Sequence, residues 1–238
     1  MARSDFFFIT LALLATLVRS ADAAQRDVDI PMSDGIVLRG TYFSPGAPGP
    51  AVLLLHQCNM DRRAWFGVAA DLSSAGMHVL TVDFRGFGES GGKPVTEADR
   101  QSLSTKWPAD VDAALAFLLA QQGVDQSRIA VGGASCAVPQ ASTLAIRQRR
   151  IRALLVLSGP ATADAKSYIS KTPGLAVFGA AAEQDAGAVQ GIKDLVSAST
   201  NTASTLKLYP GTEHGVELLI AHKDLGTMIV SWLRTQIR

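Results

Sequence analysis

The sequence contains few cysteines and no excess of either charge. Its 238 residues include only two cysteines, Cys58 and Cys136, which excludes a disulfide-rich scaffold and a zinc or iron–sulfur site built from four thiolates. The 22 Lys and Arg residues nearly balance the 21 Asp and Glu residues, so the composition does not predict binding to nucleic acid or to an anionic membrane. The 47% of hydrophobic residues is enough for one sizeable core.

An uncharged apolar run lies near the N terminus, at residues 6–18. Arg3 precedes it and small residues follow it, which is typical of a secretory signal peptide. In a helix this run would rise only about 20 Å, short of the ~30 Å hydrocarbon core of a bilayer. We therefore expect residues 1–23 to be a signal peptide cleaved after Ala23. Residues 24–238 should then form a single domain that is periplasmic or secreted, without stable membrane insertion.

Short apolar segments alternate with segments of helical periodicity along the rest of the chain. Repeated strand–helix–strand units predict an α/β fold with a mostly parallel sheet and helices on both faces. Ligand sites in such sheets lie at the carboxyl ends of the strands. The predicted strands are 27–31, 36–43, 51–55, 77–82, 128–131, 152–157, 175–178 and 205–209, and the predicted helices are 62–75, 108–122, 138–149, 186–198 and 225–235.

A serine follows the fifth predicted strand. Residues 133–137 read Gly-Ala-Ser-Cys-Ala, which is the G-x-S-x-G pattern with alanine in the last place. Glycine before the serine permits the tight strand-to-helix turn that exposes a nucleophile. The pattern therefore predicts Ser135 as a nucleophile, although a plain turn or a helix cap would also account for it.

A histidine and an acidic residue follow the later predicted strands. His214 lies in the loop after the last strand, where it could act as a general base toward Ser135. An acid between the two would fix the imidazole tautomer. Asp185, after the seventh predicted strand, is the predicted acid, with Glu183 and Asp164 as the alternatives.

The run Asp-Phe-Arg-Gly-Phe-Gly-Glu-Ser at residues 83–90 and the order serine, acid, histidine resemble those of α/β-hydrolases. The resemblance covers residues 36–238, and the short layout is similar to the dienelactone hydrolase-like branch. It implies an eight-stranded sheet with an antiparallel second strand, a triad of Ser135, Asp185 and His214, and no cofactor or metal. The implied reaction is hydrolysis of an ester, thioester, lactone or amide in a small-molecule acyl substrate through an acyl-enzyme. Residues 159–173 are too few for a sizeable cap domain.

Two residues depart from the pattern of this family. Ala137 and Gln57 stand where glycine is usual, which leaves open a non-catalytic binding member of the fold. An acyltransferase with the same triad is a further alternative. Since dienelactone hydrolases proper use a cysteine nucleophile, Cys136 is also a candidate, but Ala134 and Val138 flank it less suitably than glycine would.

The resemblance also implies an oxyanion hole of two backbone N–H groups. These belong to Cys136 and to Cys58, with Gln57 as the alternative to Cys58. Because both cysteines fall on these loops, and an exported chain meets an oxidising environment, we predict a Cys58–Cys136 disulfide, with two buried free thiols as the alternative. Trp65 and Phe87 are candidate apolar walls of a substrate pocket, and core packing is the alternative for Trp65.

Overall fold

The structure, a computed structural model, describes residues 24–91, 96, 102 and 104–238. The predicted signal peptide, residues 1–23, lies outside these described residues. Among the helices of the described ranges, none is both long and apolar enough to cross a membrane.

Eight strands of the described chain form one sheet. The strand order is β1-β2-β4-β3-β5-β6-β7-β8, where β2 runs antiparallel to both neighbours and the other pairs are parallel. The predicted eight-stranded, mostly parallel sheet with an antiparallel second strand is therefore confirmed. The strands are β1 (Ala24–Pro31), β2 (Val37–Ser44), β3 (Gly49–Leu55), β4 (His78–Val82), β5 (Val124–Ala134), β6 (Ile151–Leu157), β7 (Ala176–Ala182) and β8 (Thr205–Tyr209).

Helices cover both faces of the sheet, as predicted. The described helices are α1 (Phe66–Ser74), α2 (Trp107–Leu119), α3 (Ala137–Arg147), α4 (Ala163–Ser170), α5 (Val189–Ser197), α6 (Glu217–Ala221) and α7 (Lys223–Gln236), with a 3-10 helix at Arg62–Trp65 ahead of α1. The buried side chains of α2 to α5 pack in one cluster, and those of α1, α6 and α7 pack in a second cluster on the opposite face. Residues 159–173 contain only the eight-residue helix α4, so no cap domain is inserted at this connection.

Side chains of β3 alternate between the two core clusters. Leu53 and Leu55 pack on the face of α2 to α5, whereas Val52 and Leu54 pack on the face of α1 and α7. All four are at most 1% exposed. Successive side chains of a strand point to opposite faces. Because a parallel strand with helices on both sides buries both of its faces, β3 is apolar at every one of these positions.

The strand register brings four strand ends to one edge of the sheet. Leu55 at the end of β3 is paired with Gly133 in β5, and Ala134 at the end of β5 is paired with Leu157, the last residue of β6. Leu157 is in turn paired with Ala180 near the end of β7. The loops that follow these strands therefore begin close together, at the edge where ligands bind in such sheets.

The loop at residues 83–90, which contains the Asp-to-Ser run, is held at this edge by the buried side chain of Asp83. The fully buried Asp83 carboxylate accepts hydrogen bonds from the Arg62 backbone N–H and guanidinium, both at 2.6 Å, and from the Glu89 N–H at 2.9 Å. Gly88 has φ +53°, and a Cβ there would collide with that carboxylate. Since a buried carboxylate is tolerated only when it is paired and hydrogen-bonded, Asp83 and Arg62 act together as one unit.

A second ion pair anchors the same loop to a helix. The Arg85 guanidinium lies against the Asp110 carboxylate in α2, with its Nε 2.8 Å from Oδ2, and both side chains are largely buried. Burial is the main influence on Asp110 and raises the pKa of its carboxyl above the usual value. The motif that carries the family resemblance thus fixes a loop and supplies none of the predicted catalytic groups.

Candidate active site

Three predicted side chains form one hydrogen-bonded chain at the carboxyl edge of the sheet. The Nε2 atom of His214 lies 2.7 Å from the Ser135 hydroxyl, and its Nδ1 atom lies 2.8 Å from the Asp185 carboxylate. An ionised carboxylate only accepts hydrogen bonds, so Nδ1 carries the ring proton and Nε2 accepts the hydroxyl hydrogen. In this arrangement the imidazole can receive a proton from Ser135 while Asp185 holds its orientation.

Ser135 occupies a sharp turn between β5 and α3. Its φ is +53°, a left-handed conformation that is unusual for a residue with a side chain. Its N–H donates to the Leu157 carbonyl at 2.9 Å, which anchors the turn to β6. A Cβ at Gly133 would collide with the Ala137 carbonyl, and a Cβ at Gly159 would approach the Ser135 carbonyl closely. Such a turn exposes the hydroxyl of a nucleophile.

Ala137, one of the two departures from the family pattern, fits this turn. Its side chain is fully buried in the core cluster beneath α3. The close approach of α3 to β5 occurs at Gly133, where no Cβ would fit. The methyl group of Ala137 therefore does not obstruct the turn that presents Ser135.

Asp185 reaches His214 because β7 is longer than the sequence predicts. The strand continues to Ala182, and the Asp185 N–H then closes a turn on the Ala182 carbonyl at 3.2 Å. The Asp185 side chain is 11% exposed. The alternative acids differ in placement, since Glu183 is exposed and Asp164 is exposed in the first turn of α4.

The two loops proposed for the oxyanion hole are covalently joined. Cys58, after β3, and Cys136, directly after Ser135, form a disulfide bond, and their Cα atoms lie 5.9 Å apart. A thiol nucleophile must be free to ionise, so the cysteine alternative at Cys136 is wrong in this oxidised chain. No backbone carbonyl of the described residues accepts a hydrogen bond from the Cys58 or Cys136 N–H, and Cys136 occupies the N-cap position of α3.

The peptide between Gln57 and Cys58 is held in one orientation. The Gln57 carbonyl accepts hydrogen bonds from His56 Nδ1 at 2.8 Å and from the Met60 N–H at 3.1 Å. In a planar trans peptide the carbonyl and the following N–H point in opposite directions, so these bonds also fix the Cys58 N–H. His56 Nε2 accepts the Phe84 N–H at 3.1 Å, and burial lowers the pKa of the His56 imidazole. His56 is therefore a neutral support for the loop.

The Gln57 side chain makes contacts that are not predicted from the sequence, where only the backbone N–H of this residue is a candidate for the site. The residue is fully buried, its Oε1 accepts the Val216 N–H at 2.8 Å, and its Nε2 donates to the Asn59 side chain at 2.8 Å. Gly215 has φ +63° and is so close that a Cβ there would collide with the Gln57 amide. The signal in the sequence is a glutamine at a position where the family usually has glycine.

The two aromatic candidates for a pocket wall have different positions. Trp65 is fully buried in the core cluster of α1 and α7, and its indole N–H donates to the Leu55 carbonyl at 3.0 Å. The prediction that Trp65 lines a pocket is therefore wrong, since its ring has no surface to offer a ligand. Phe87 is only partly buried, and its ring lies 5.2 Å from that of His56.

The described residues contain no group of three or more His, Cys, Asp or Glu side chains that could hold a metal ion. The site contains the hydrogen-bonded chain Ser135–His214–Asp185, and the backbone N–H of Cys136 directly follows Ser135. This set can carry out proton transfer, nucleophilic attack and oxyanion stabilisation.

The model of the alpha/beta hydrolase fold matches residues 50–186. The chain belongs to this family. A thiohydrolase of Aspergillus aculeatus is 32% identical over 130 residues, which cover 54% of this chain and 40% of that protein. An uncharacterized protein of Mycobacterium tuberculosis is 38% identical over 145 residues, which cover 60% of this chain and 48% of that protein. The match thus spans less than half the length of each of these curated relatives.

Solved structures of alpha/beta hydrolases share the fold over most of the chain. An esterase of Pyrococcus furiosus superposes with a TM-score of 0.70 at 18% identity, covering 91% of this chain and 94% of the esterase. A dienelactone hydrolase of Anabaena variabilis superposes with a TM-score of 0.66 at 16% identity, covering 91% and 99%. Together with the family match over residues 50–186, the shared fold confirms the superfamily resemblance.

Proposed function

We propose that this alpha/beta hydrolase is an exported serine hydrolase that cleaves ester-type bonds through an acyl-enzyme on Ser135. The observation that carries the proposal is the hydrogen-bonded chain from Ser135 through His214 to Asp185, with distances of 2.7 and 2.8 Å. These are the distances at which a base activates a hydroxyl nucleophile and an acid orients the base.

The proposed reaction has two halves. His214 Nε2 takes the proton of Ser135, and the serine oxygen attacks the substrate carbonyl carbon. The resulting oxyanion accepts hydrogen bonds from the N–H groups of Cys136 and Cys58, with Gln57 as the alternative to Cys58. His214 then gives the proton to the departing alcohol, thiol or amine. Water, deprotonated by His214, attacks the acyl-enzyme and releases the acid with the proton returned to Ser135.

The proposed substrates are small acyl compounds. The connection at residues 159–173 inserts no cap domain at the sheet edge, since the eight-residue helix α4 is its one helix. Esters, thioesters, lactones and amides all contain the carbonyl that this chemistry needs, and the similarity to a thiohydrolase favours testing thioesters beside esters.

Export is the second part of the proposal. It rests on the apolar run and small residues expected to form a cleaved leader at residues 1–23. The Cys58–Cys136 disulfide supports it, because disulfides persist in oxidising compartments such as the periplasm or the extracellular space. Expression of the full chain in a secreting host, followed by N-terminal sequencing, tests it, and a mature protein that still starts before residue 24 would contradict it.

A fluorophosphonate probe followed by peptide mass spectrometry tests the catalytic part. The proposal predicts labelling of Ser135 and turnover of short acyl esters. A folded protein that is not labelled and hydrolyses no ester would instead be a non-catalytic member of the fold. Product analysis with an added alcohol or amine separates hydrolysis from acyl transfer.

A further inference from the structure

Residues 56–58 are tied to three neighbouring loops by three different bonds. His56 accepts the Phe84 N–H of the loop after β4, and Cys58 is bonded to Cys136 in the turn that carries Ser135. Gln57 accepts the Val216 N–H, 159 residues away in sequence, in the loop that carries His214. The segment that supplies an oxyanion donor is therefore in direct contact with the loops of both the nucleophile and the base.

We propose that the Gln57 side chain is a positioning residue that sets the place of His214 relative to Ser135 and the oxyanion donors. This inference rests on the proposed serine hydrolase function. The Gln57 side chain is not expected to contact the reacting atoms, since both ends of its amide are already bonded within the protein. It acts through the loop at residues 214–216.

The other backbone hydrogen bonds of His214 are long. Its N–H lies 3.3 Å from the Glu217 carboxylate, and its carbonyl accepts the Glu217 N–H at 3.3 Å. Asp185 holds the His214 ring, with 2.8 Å between Nδ1 and the carboxylate, so it is the backbone of the loop that needs a further support. By contrast, the bond from Val216 to Gln57 is short at 2.8 Å and buried. A buried hydrogen bond with a rigid acceptor constrains a loop more than an exposed one, because water cannot replace it.

The packing around Gly215 strengthens this constraint. Gly215 takes φ +63°, and its Cα lies so near the Gln57 amide that a Cβ would collide with Oε1. Glycine alone adopts this conformation readily. The loop therefore closes directly onto the Gln57 side chain between His214 and Val216, and a glycine at residue 57 would leave this contact empty.

Replacing Gln57 by methionine tests the role. Methionine has a similar length and no oxygen to accept the Val216 N–H. We expect kcat to fall about ten- to a hundredfold while KM changes little, since a misplaced base lowers the rate of the chemical step more than it weakens binding. Gln57→Glu keeps an oxygen for the Val216 N–H, and burial favours its neutral carboxyl form, which can still donate to the Asn59 side chain. This variant should restore kcat to within about threefold of the parent.

Gln122→Met is the matched control, because Gln122 is exposed and remote from the site, and its kinetics should equal those of the parent. All variants are compared per active site by fluorophosphonate titration, with the disulfide verified by mass spectrometry. If Gln57→Met fails to fold, Val216→Pro removes the same hydrogen bond from the donor side, because proline has no N–H and Val216 already has φ −72°. Parent-like kcat in this variant would likewise overturn the inference. Parent-like kcat in Gln57→Met, or equal losses in both Gln57 variants, would overturn the inference.

The experiment separates this inference from the proposed function. If the parent protein itself is not labelled at Ser135 and hydrolyses no ester, the serine hydrolase proposal fails. If the parent is labelled and active, but kcat is parent-like in Gln57→Met or falls equally in both Gln57 variants, only the positioning role of Gln57 fails.

Discussion

Cys58 and Cys136 join the loop after β3 to the turn that holds Ser135, across a separation of 78 residues in sequence. The bond lies between two segments whose N–H groups are proposed to bind the same oxyanion. A covalent link there limits how far the two donors can move apart. The disulfide therefore connects the stability of the fold to the geometry of the proposed site.

Removing this disulfide should lower both stability and activity. For the double variant Cys58→Ala/Cys136→Ala, we expect the free energy of unfolding to fall by about 4 kcal/mol, because a loop of this length is no longer closed in the unfolded chain. Denaturant unfolding measures the change, and ester turnover should fall in parallel in the folded fraction. Stability and kcat that both equal the parent values would contradict this role.

Asp185→Asn should lower kcat by about three to four orders of magnitude, because an amide no longer holds the imidazole in the tautomer that accepts the Ser135 proton. Glu183→Gln is the matched control, since Glu183 is exposed two residues earlier in the chain. Steady-state kinetics with a short acyl ester measure both variants. A large loss in the Glu183 variant and a small loss in the Asp185 variant would reverse the assignment of the acid.

The turn around Ser135 predicts a steric effect for one substitution and only a loss of helix propensity for its neighbour. Gly133→Ala should destabilise the protein by about 1–3 kcal/mol, because its Cβ collides with the Ala137 carbonyl and the packed turn must shift. Ala137→Gly should cost about 1 kcal/mol through lost helix propensity and keep kcat near the parent value. Thermal unfolding and kinetics check the pair, and a gain of activity in Ala137→Gly would show that alanine does obstruct the turn.

The neutral His56 imidazole makes stability depend on pH. Its folded-state pKa is lowered by burial, so the unfolded chain binds a proton more readily than the folded chain. The contribution to stability is fully present above the unfolded pKa of about 6.5 and is lost as pH falls below it. His78 is shifted in the same direction by burial and adds to the effect.

Urea unfolding at several pH values between about 8 and 5 measures this dependence, and imidazole NMR signals identify the residue. The free energy of unfolding should decrease toward pH 5, and the His56 ring of the folded protein should titrate below the usual pKa of a histidine. A His56 ring that titrates near its usual pKa, with stability independent of pH, would contradict the assignment.

The strand–helix alternation and the order of the site residues could be predicted because they depend on local sequence. The apolar run of β3 predicts a buried strand, and the glycine ahead of Ser135 predicts a tight turn. Neither prediction needs knowledge of a contact that is distant in sequence. The number of strands and the antiparallel second strand also follow, once the resemblance to α/β-hydrolases has been found in residues 83–90.

Other features could not be predicted, because distant contacts determine them. The end of β7 continues to Ala182 since it pairs with β8, and α4 and α6 are short helices of eight and five residues with little periodicity to detect. Trp65 has the aromatic side chain that is typical of a pocket wall, but its hydrogen bond to the Leu55 carbonyl and its packing in the core determine its position. The bond from Gln57 to Val216 spans 159 residues, and local sequence carries no sign of it.

The most direct test of the central proposal is to trap the acyl-enzyme. The mature protein is mixed with a short-chain ester, quenched in acid at early times and analysed by intact and peptide mass spectrometry. The proposal predicts a transient mass increase of one acyl group on the peptide that contains Ser135, and its absence in Ser135→Ala. Steady ester turnover without any acyl group on Ser135, or turnover that persists in Ser135→Ala, would contradict it.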